Sequence, residues 1–424
     1  MRNLISIFCL LYTLAAWGQV PQPVPVKVQV SGVSFQLLRD GKPYFIKGGG
    51  GYDHFELLRN CGGNSIRIWE HEQARSILNQ AEKLGLTVMV GLWVGHERHG
   101  FDYNDNSLVE RQLEMLRKIV VDLKDHPALL LWGVGNEVNL NYTNKKVWDA
   151  IQGIGKMIHE EDKNHPTVAV IAGVNQTDVG LIKVQCPDID ILGVNVYGAV
   201  ATVPDDLKKF GWDRPYIITE WGPTGHWESP KTQWGAAIEP SSTVKAADCK
   251  SRYEQTMVKD AAHCLGSYVF KWGSKQEVTA TWYSTLLETG EETEMVDAMR
   301  AEWNGRPVNN KVPQLKSFSL EGKQATDNIE LFKKEDYSAA AVSEDADADP
   351  LTYSWEIMKE TLHLKAGGDQ EDTPSKVFEQ KTGKDGQLHF KAPRRKGYYR
   401  LFVYVYDGHN HVATGNIPFQ VKSR

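Results

Sequence analysis

Apolar residues in this chain gather into eight short, nearly unbroken runs, at 45–51, 64–69, 87–94, 129–137, 167–173, 191–198, 216–222 and 267–273. A strand that is apolar at consecutive positions is covered on both faces, as in a parallel sheet flanked by helices. The stretches between the runs supply such helices: ARSILNQAEKLG and LVERQLEMLRKIVVDLKDH repeat their apolar positions every three to four residues. Eight strands with helical crossovers over about 260 residues predict a (β/α)8 TIM barrel in the α/β class. The rival, a doubly wound open sheet, calls for a Gly-rich phosphate loop, and the glycines at 48–51 have neither GxGxxG spacing nor a following Lys-Ser/Thr. Upstream, FQLLRDGKPYFIKG alternates about a Gly turn and predicts a hairpin. Downstream, LTYSWEI, QLHFKAP, YYRLFVYVYDG and NIPFQV alternate with turns and charged loops, the pattern of a small antiparallel sandwich.

These patterns divide the 424 residues into a leader at 1–18, a barrel at 19–306, a linker at 307–313 and a sandwich at 314–424. The leader has one basic residue, an apolar run and a small-residue exit, the form of a cleavable secretory signal, and it is too short for a membrane span. A bacterial periplasmic, surface or extracellular address is the expectation. Cys9 lies in the apolar run without the small residue that precedes a lipid-attachment cysteine. Export permits disulfides among Cys61, Cys186, Cys249 and Cys264, which are equally suited to be buried apolar residues and show no zinc-like spacing. A net charge of −6 gives no polyanion-binding signature, so nucleic acid is not an expected partner.

Two runs end in carboxylates. WGVGNEVN at 132–139 carries Glu137 and ITEWG at 218–222 carries Glu220, each at a strand end, where a barrel delivers side chains to its mouth. Cleavage of an acetal needs a proton on the leaving oxygen and a nucleophile or activated water on the other face of the sugar, and two glutamates fill both roles. Asn-Glu on the earlier strand and Thr-Glu-Trp-Gly on the later one resemble the clan A glycoside hydrolases. That resemblance implies a retaining mechanism, with Glu137 as acid/base after the fourth strand and Glu220 as nucleophile after the seventh.

The same resemblance assigns the neighbours. Arg67, in SIRIWE, holds the nucleophile charged; Asn136 bonds the sugar 2-hydroxyl; Tyr197, in GVNVYG, bonds the nucleophile with Asn195 in support; Trp272, in FKWG, floors the subsite next to the cleavage point. Trp93 and His96, in LWVGHERHG, read better as sugar contacts than as metal ligands, because His96 and His99 find no third ligand. Trp93, Trp221 and Trp272 together are expected to line an open cleft. The acidic run DADAD at 345–349 is expected to be a solvated turn, with calcium the alternative. No cofactor and no metal are called for, and the expected partner of a monomeric chain is a carbohydrate.

HPALLLWGVGNE is similar to the family 2 barrel, but the residues that precede it here do not match the two long β-domains of that family, so a β-galactosidase or β-glucuronidase is the lesser expectation. DADADPLTYSWEI with KGYYRLFVYVYDG resembles the immunoglobulin-like and polycystic-kidney-disease-like modules of bacterial carbohydrate enzymes. A barrel followed by one such module resembles the glycoside hydrolase family 158 endo-β-1,3-glucanases, which implies internal cleavage of β-1,3-glucan. A β-mannanase or β-1,4-glucanase of the same clan, and a non-catalytic carbohydrate-binding barrel, are the alternatives. Every candidate catalytic residue precedes the linker, so the module is expected to be dispensable for chemistry.

Overall fold

The structure, a computed structural model, describes residues 22–305, 308–361, 364–365, 368–383 and 385–424. The leader at 1–18 lies outside these residues, as do residues 306 and 307, where barrel and linker meet. A hairpin, β1 (Val26–Ser31) and β2 (Ser34–Arg39) with the short β3 (Lys42–Pro43), precedes the barrel. Eight parallel strands then close on themselves in sequence order: β4 (Ile46–Gly50), β5 (Ser65–Ile68), β6 (Thr87–Leu92), β7 (Leu129–Val134), β8 (Thr167–Ala172), β9 (Ile191–Asn195), β10 (Tyr216–Trp221) and β11 (Cys264–Val269), with β11 pairing back to β4. Each strand falls within or beside its apolar run. The eighth is displaced, because residues 270–273 leave the sheet.

Two apolar layers follow from the strand period of two. Outward side chains pack with the helices, as Ile66, Val88, Leu129 and Ile218 do with Ile77, Leu116 and Ile154. Inward side chains at one end, including Ile46, Met89, Leu131, Val168, Ile191 and Ile217, are capped by Val26 and Leu37 of the hairpin. The hairpin therefore plugs one end of the barrel, and the opposite mouth is left for chemistry. The glycines at 48–51 have a packing reason: a Cβ on Gly48 would stand 2.2 Å from the Tyr268 ring, and one on Gly51, just past β4, would stand 2.3 Å from the Trp272 carbonyl.

The second unit is a sandwich of two sheets. One holds β12 (Gln314–Leu320), β14 (Asp336–Glu344) and β17 (Gln387–Lys391); the other holds β13 (Glu330–Phe332), β15 (Thr352–Lys359), β16 (Lys376–Thr382), β18 (Gly397–Tyr406) and β19 (Val412–Lys422). Pairing is antiparallel except between β13 and β19. Trp355, Leu388, Leu401, Val403 and Phe419 fill its core. The segment expected to be a linker is pinned rather than free, since the buried Val312 donates its N–H to Asp297 at 2.8 Å.

A buried polar network joins the two units. Glu239, on the loop after β10, accepts from Lys245 at 2.7 Å, from Thr279 at 2.6 Å and from Asn416 of β19 at 2.6 Å. Arg400 of β18 is 1% exposed and donates to Glu360 at 2.8 Å, to Asn416 Oδ1 at 2.6 Å and to the Ala237 carbonyl at 2.8 Å. The four cysteines are buried free thiols, and burial pushes Cys61 up to about 11. No helix among the described residues is long and apolar enough to cross a membrane.

Candidate active site

Glu220 and Glu137 meet at the open mouth of the barrel. Glu220 lies on β10 in register with Asn195 at the end of β9. Glu137 follows β7 through a left-handed turn, with Gly135 at φ 71° and Glu137 itself at φ 53°. A non-glycine residue held there stores roughly 1–3 kcal/mol of strain, and such strain gathers at functional positions. One amide connects the two acids: Asn195 Nδ2 lies 2.9 Å from Glu137 Oε1 and 2.8 Å from Glu220 Oε1. Those two oxygens are therefore at most roughly 6 Å apart, below the 6.5–9.5 Å that an inverting water requires.

The two carboxylates differ in what surrounds them. Glu220 Oε1 accepts from Arg67 Nη1 at 2.7 Å, Trp69 Nε1 at 2.6 Å and Asn195, while Oε2 accepts from the Tyr197 hydroxyl at 3.0 Å. This carboxylate thus receives one cationic and three neutral donors. Burial and the Glu220 charge push the Tyr197 hydroxyl well above its ordinary range, so it stays a donor. Among the described residues the Glu137 side chain has only the Asn195 bond, and burial together with the Glu220 charge pushes it up to about 7. Asn136 Oδ1 accepts from both Arg67 Nη2 at 2.7 Å and Asn195 at 3.0 Å. With its oxygen so committed, the Asn136 amide group is left as a donor.

No protein-family model matches the chain. It is 25% identical over 198 residues to the β-glucuronidase of Sus scrofa, across 41% of this chain and 28% of that protein. It is 24% identical over 199 residues to a β-galactosidase of Bacteroides ovatus, across 39% of this chain and 23% of that one. Among solved structures, a calcium-binding mutant of Bacteroides uniformis β-glucuronidase 2 superposes with a TM-score of 0.53 at 15% identity, covering 94% of this chain and 48% of that chain. The fold is that of the β-glucuronidase barrel. The chain spans only about a quarter of the length of these curated relatives.

Two expected sugar platforms are elsewhere. Trp221 is 0% exposed and stacks on Tyr253 with ring centres 5.7 Å apart, inside the layer between barrel and helices. The strand period explains this: Glu220 points into the mouth, so the next side chain points outward. Trp272 is likewise buried, lies 5.7 Å from the Trp303 ring and donates Nε1 to the His54 carbonyl at 3.2 Å. The aromatic ring beside Trp69 and Tyr197 is that of Phe270, which meets them edge-on at 5.7 and 5.9 Å.

Trp93 and His96 stack at 4.7 Å on the loop after β6. Burial and the neighbouring Arg98 push His96 down to about 4, so its ring is neutral. Sequence reasoning missed Trp69, although it sits two residues beyond Arg67 and a strand end turns such a pair to one face. It also missed Trp227, which is 54% exposed and stands edge-on to Tyr197 at 5.4 Å. The acidic run forms a turn in which Asp345 Oδ1 accepts the N–H groups of Asp347 and Asp349, with carboxylate oxygens of Asp345, Asp349 and Asp407 within 4.8 Å of one another.

Proposed function

We propose that the chain is a retaining β-glycoside hydrolase of clan A that cuts β-1,3-glucan internally. The observation that carries the chemistry is the single Asn195 amide bonded to both carboxylates. The Glu220 carboxylate, oriented by Arg67, Trp69, Tyr197 and Asn195, attacks the anomeric carbon as protonated Glu137 gives its proton to the departing glycosidic oxygen. Once the ester forms, Glu220 carries no charge, the repulsion that raised Glu137 disappears, and Glu137 takes a proton from the water that releases the sugar. The free amide of Asn136 supplies a donor for the 2-hydroxyl. Exposed Trp227 and stacked Trp93 stand near the mouth on different loops, which favours a cleft with several sugar-stacking positions over a single-sugar pocket.

One observation favours a second substrate, a β-glucuronide. Lys271 makes no ion pair among the described residues, and its ammonium lies 5.4 Å from the Tyr52 ring and 5.5 Å from the Trp69 ring, beside the nucleophile's donor. A cation so placed suits a sugar carboxylate.

Laminarin, cellulose derivatives, mannan and aryl β-glucuronides, followed by product chromatography, separate these substrates. Early release of mixed-length oligomers from laminarin alone is the expected result; release of single sugars, or preference for mannan or glucuronide, refutes it. The mechanism has its own test in Glu137→Ala with azide and an activated substrate. The product is expected to be a glycosyl azide of retained configuration, and an inverted product refutes double displacement.

A further inference from the structure

Residues 368–371, which lie between β15 and β16 in the chain, contact the loops after β6 and β11. There the Asp369 carboxylate faces Arg98 with both oxygens, at 3.1 Å to Nη1 and 3.4 Å to Nη2, and lies 3.4 Å from His99 Nε2. Arg98 Nε in turn donates to His96 Nδ1 at 3.2 Å. The His96 ring is stacked between Trp93 at 4.7 Å and His99 at 5.2 Å, so three nearly parallel rings form a column whose far end is gripped by Asp369. On the β11 side, the Gly368 carbonyl accepts from Lys275 at 2.8 Å, and the buried Glu371 accepts the Val278 N–H at 2.8 Å. Val278 packs in one cluster with Tyr197 and Phe270, next to the nucleophile.

An isolated surface ion pair with this spacing would be worth little. Here the Arg98 side chain is only 10% exposed and has a second task, since its Nε–H fixes the His96 proton on Nε2. His96 Nε2 is then the ring's N–H, and it is buried against the Asn136 backbone at the strand end, so the ring's orientation is set from both nitrogens. A column of rings fixed at its base and held by a polar clamp at its end has the makings of a sugar-binding wall. Aromatic faces take up the apolar side of a pyranose, and fixed polar groups set its orientation.

We propose that the C-terminal module supplies a positioning residue for substrate: Asp369, by clamping Arg98 and His99, holds the Trp93–His96–His99 column as one wall of the cleft, on which a pyranose of a β-linked oligosaccharide stacks beyond the cleavage point. This rests on the glycoside hydrolase reading above and replaces the expectation that the module is dispensable for chemistry.

The test uses the full chain with Glu220→Gln, which binds without turnover, and calorimetry with β-1,3-linked glucose oligomers of increasing length. Asp369→Ala is expected to weaken binding about tenfold for oligomers long enough to reach Trp93, with a smaller loss for shorter ones. Asp369→Asn, which keeps an acceptor oxygen, is expected to retain more affinity than Asp369→Ala. Trp93→Ala should remove the same length-dependent part, and the double variant should lose little more than either single one, the mark of two residues acting as a unit. Equal losses at every length, no loss, additive losses, or no binding of any oligomer would overturn the proposal. The hydrolase reading fails by a different result: a chain with Glu220 intact that binds the series yet releases no product.

Discussion

Replacing Glu137 by Gln should kill the reaction and make the protein more stable above neutral pH. Burial and the Glu220 charge push Glu137 up to about 7, from about 4.5 when the chain is unfolded. Below about pH 4.5 the side chain is protonated in both states and contributes nothing to pH dependence. As pH rises from there to about 7, the unfolded chain gives up this proton first, so the folded state binds more protons and loses stability. Above about 7 the full cost is present, about 3 kcal/mol at 1.36 kcal/mol for each pH unit. Gln has no proton to lose, and its Oε1 can still accept the Asn195 bond that Glu137 accepts at 2.9 Å. The variant should therefore melt several degrees above the parent at pH 8, with the gap closing by pH 5, in thermal unfolding at matched ionic strength. Buried Glu277 is also pushed up to about 7, but it titrates in both proteins and cancels from the difference. Hydrolysis should fall by about three orders of magnitude, or roughly 4 kcal/mol of barrier. A melting gap that is the same at pH 5 and pH 8, or a variant that keeps a tenth of its activity, would refute the assignment.

The same proton sets the rate profile: kcat/KM should decline as pH passes about 7, where Glu137 ceases to be an acid, and a profile flat to pH 9 would exclude that role. Trp69→Phe removes the indole donor 2.6 Å from the nucleophile and should lower kcat about tenfold to a hundredfold, while KM changes less. Trp221→Phe should instead cost about 1–3 kcal/mol of stability at a fully buried site, read by thermal unfolding; a rise in KM without loss of stability would put Trp221 back at the sugar. Arg400→Met should cost about 3–5 kcal/mol by leaving Glu360 buried without its partner, and Arg400→Met with Glu360→Met should recover much of that. A double variant as unstable as the single one would show that the loss lies in packing rather than in the unpaired charge.

Much of the barrel was legible because its strands are covered on both faces, and that leaves a signal in consecutive residues. The mouth was legible where a candidate polar residue lies at or near the end of such a run: Arg67, Asn136, Glu137, Asn195, Tyr197 and Glu220 all do, and all belong to one hydrogen-bonded cluster. Trp221 and Trp272 failed as sugar contacts for a reason already present in the chain. If Glu220 faces the mouth, its neighbour cannot, and Phe270 rather than Trp272 holds the position beside Trp69 and Tyr197. Strand alternation applied past the last apolar residue would have moved attention from Trp221 to Trp69.

What no local pattern could give is the contact of Asp369 with a loop 270 residues earlier. In DQEDTP nothing distinguishes an acid that clamps an arginine from one that is solvated, because the partner is supplied by how two separately folded layers dock. That docking is fixed elsewhere, by Arg400, Asn416 and Glu239, whose buried bonds have few alternative arrangements and so set the module against the barrel in one orientation. The chain thus divides its information: strand period and strand ends place the residues of the proposed chemistry, while a distant polar network determines which surface lies next to them. The sugars that chemistry meets depend on the second kind of information, which is why linkage specificity is harder to read from the sequence than the reaction itself.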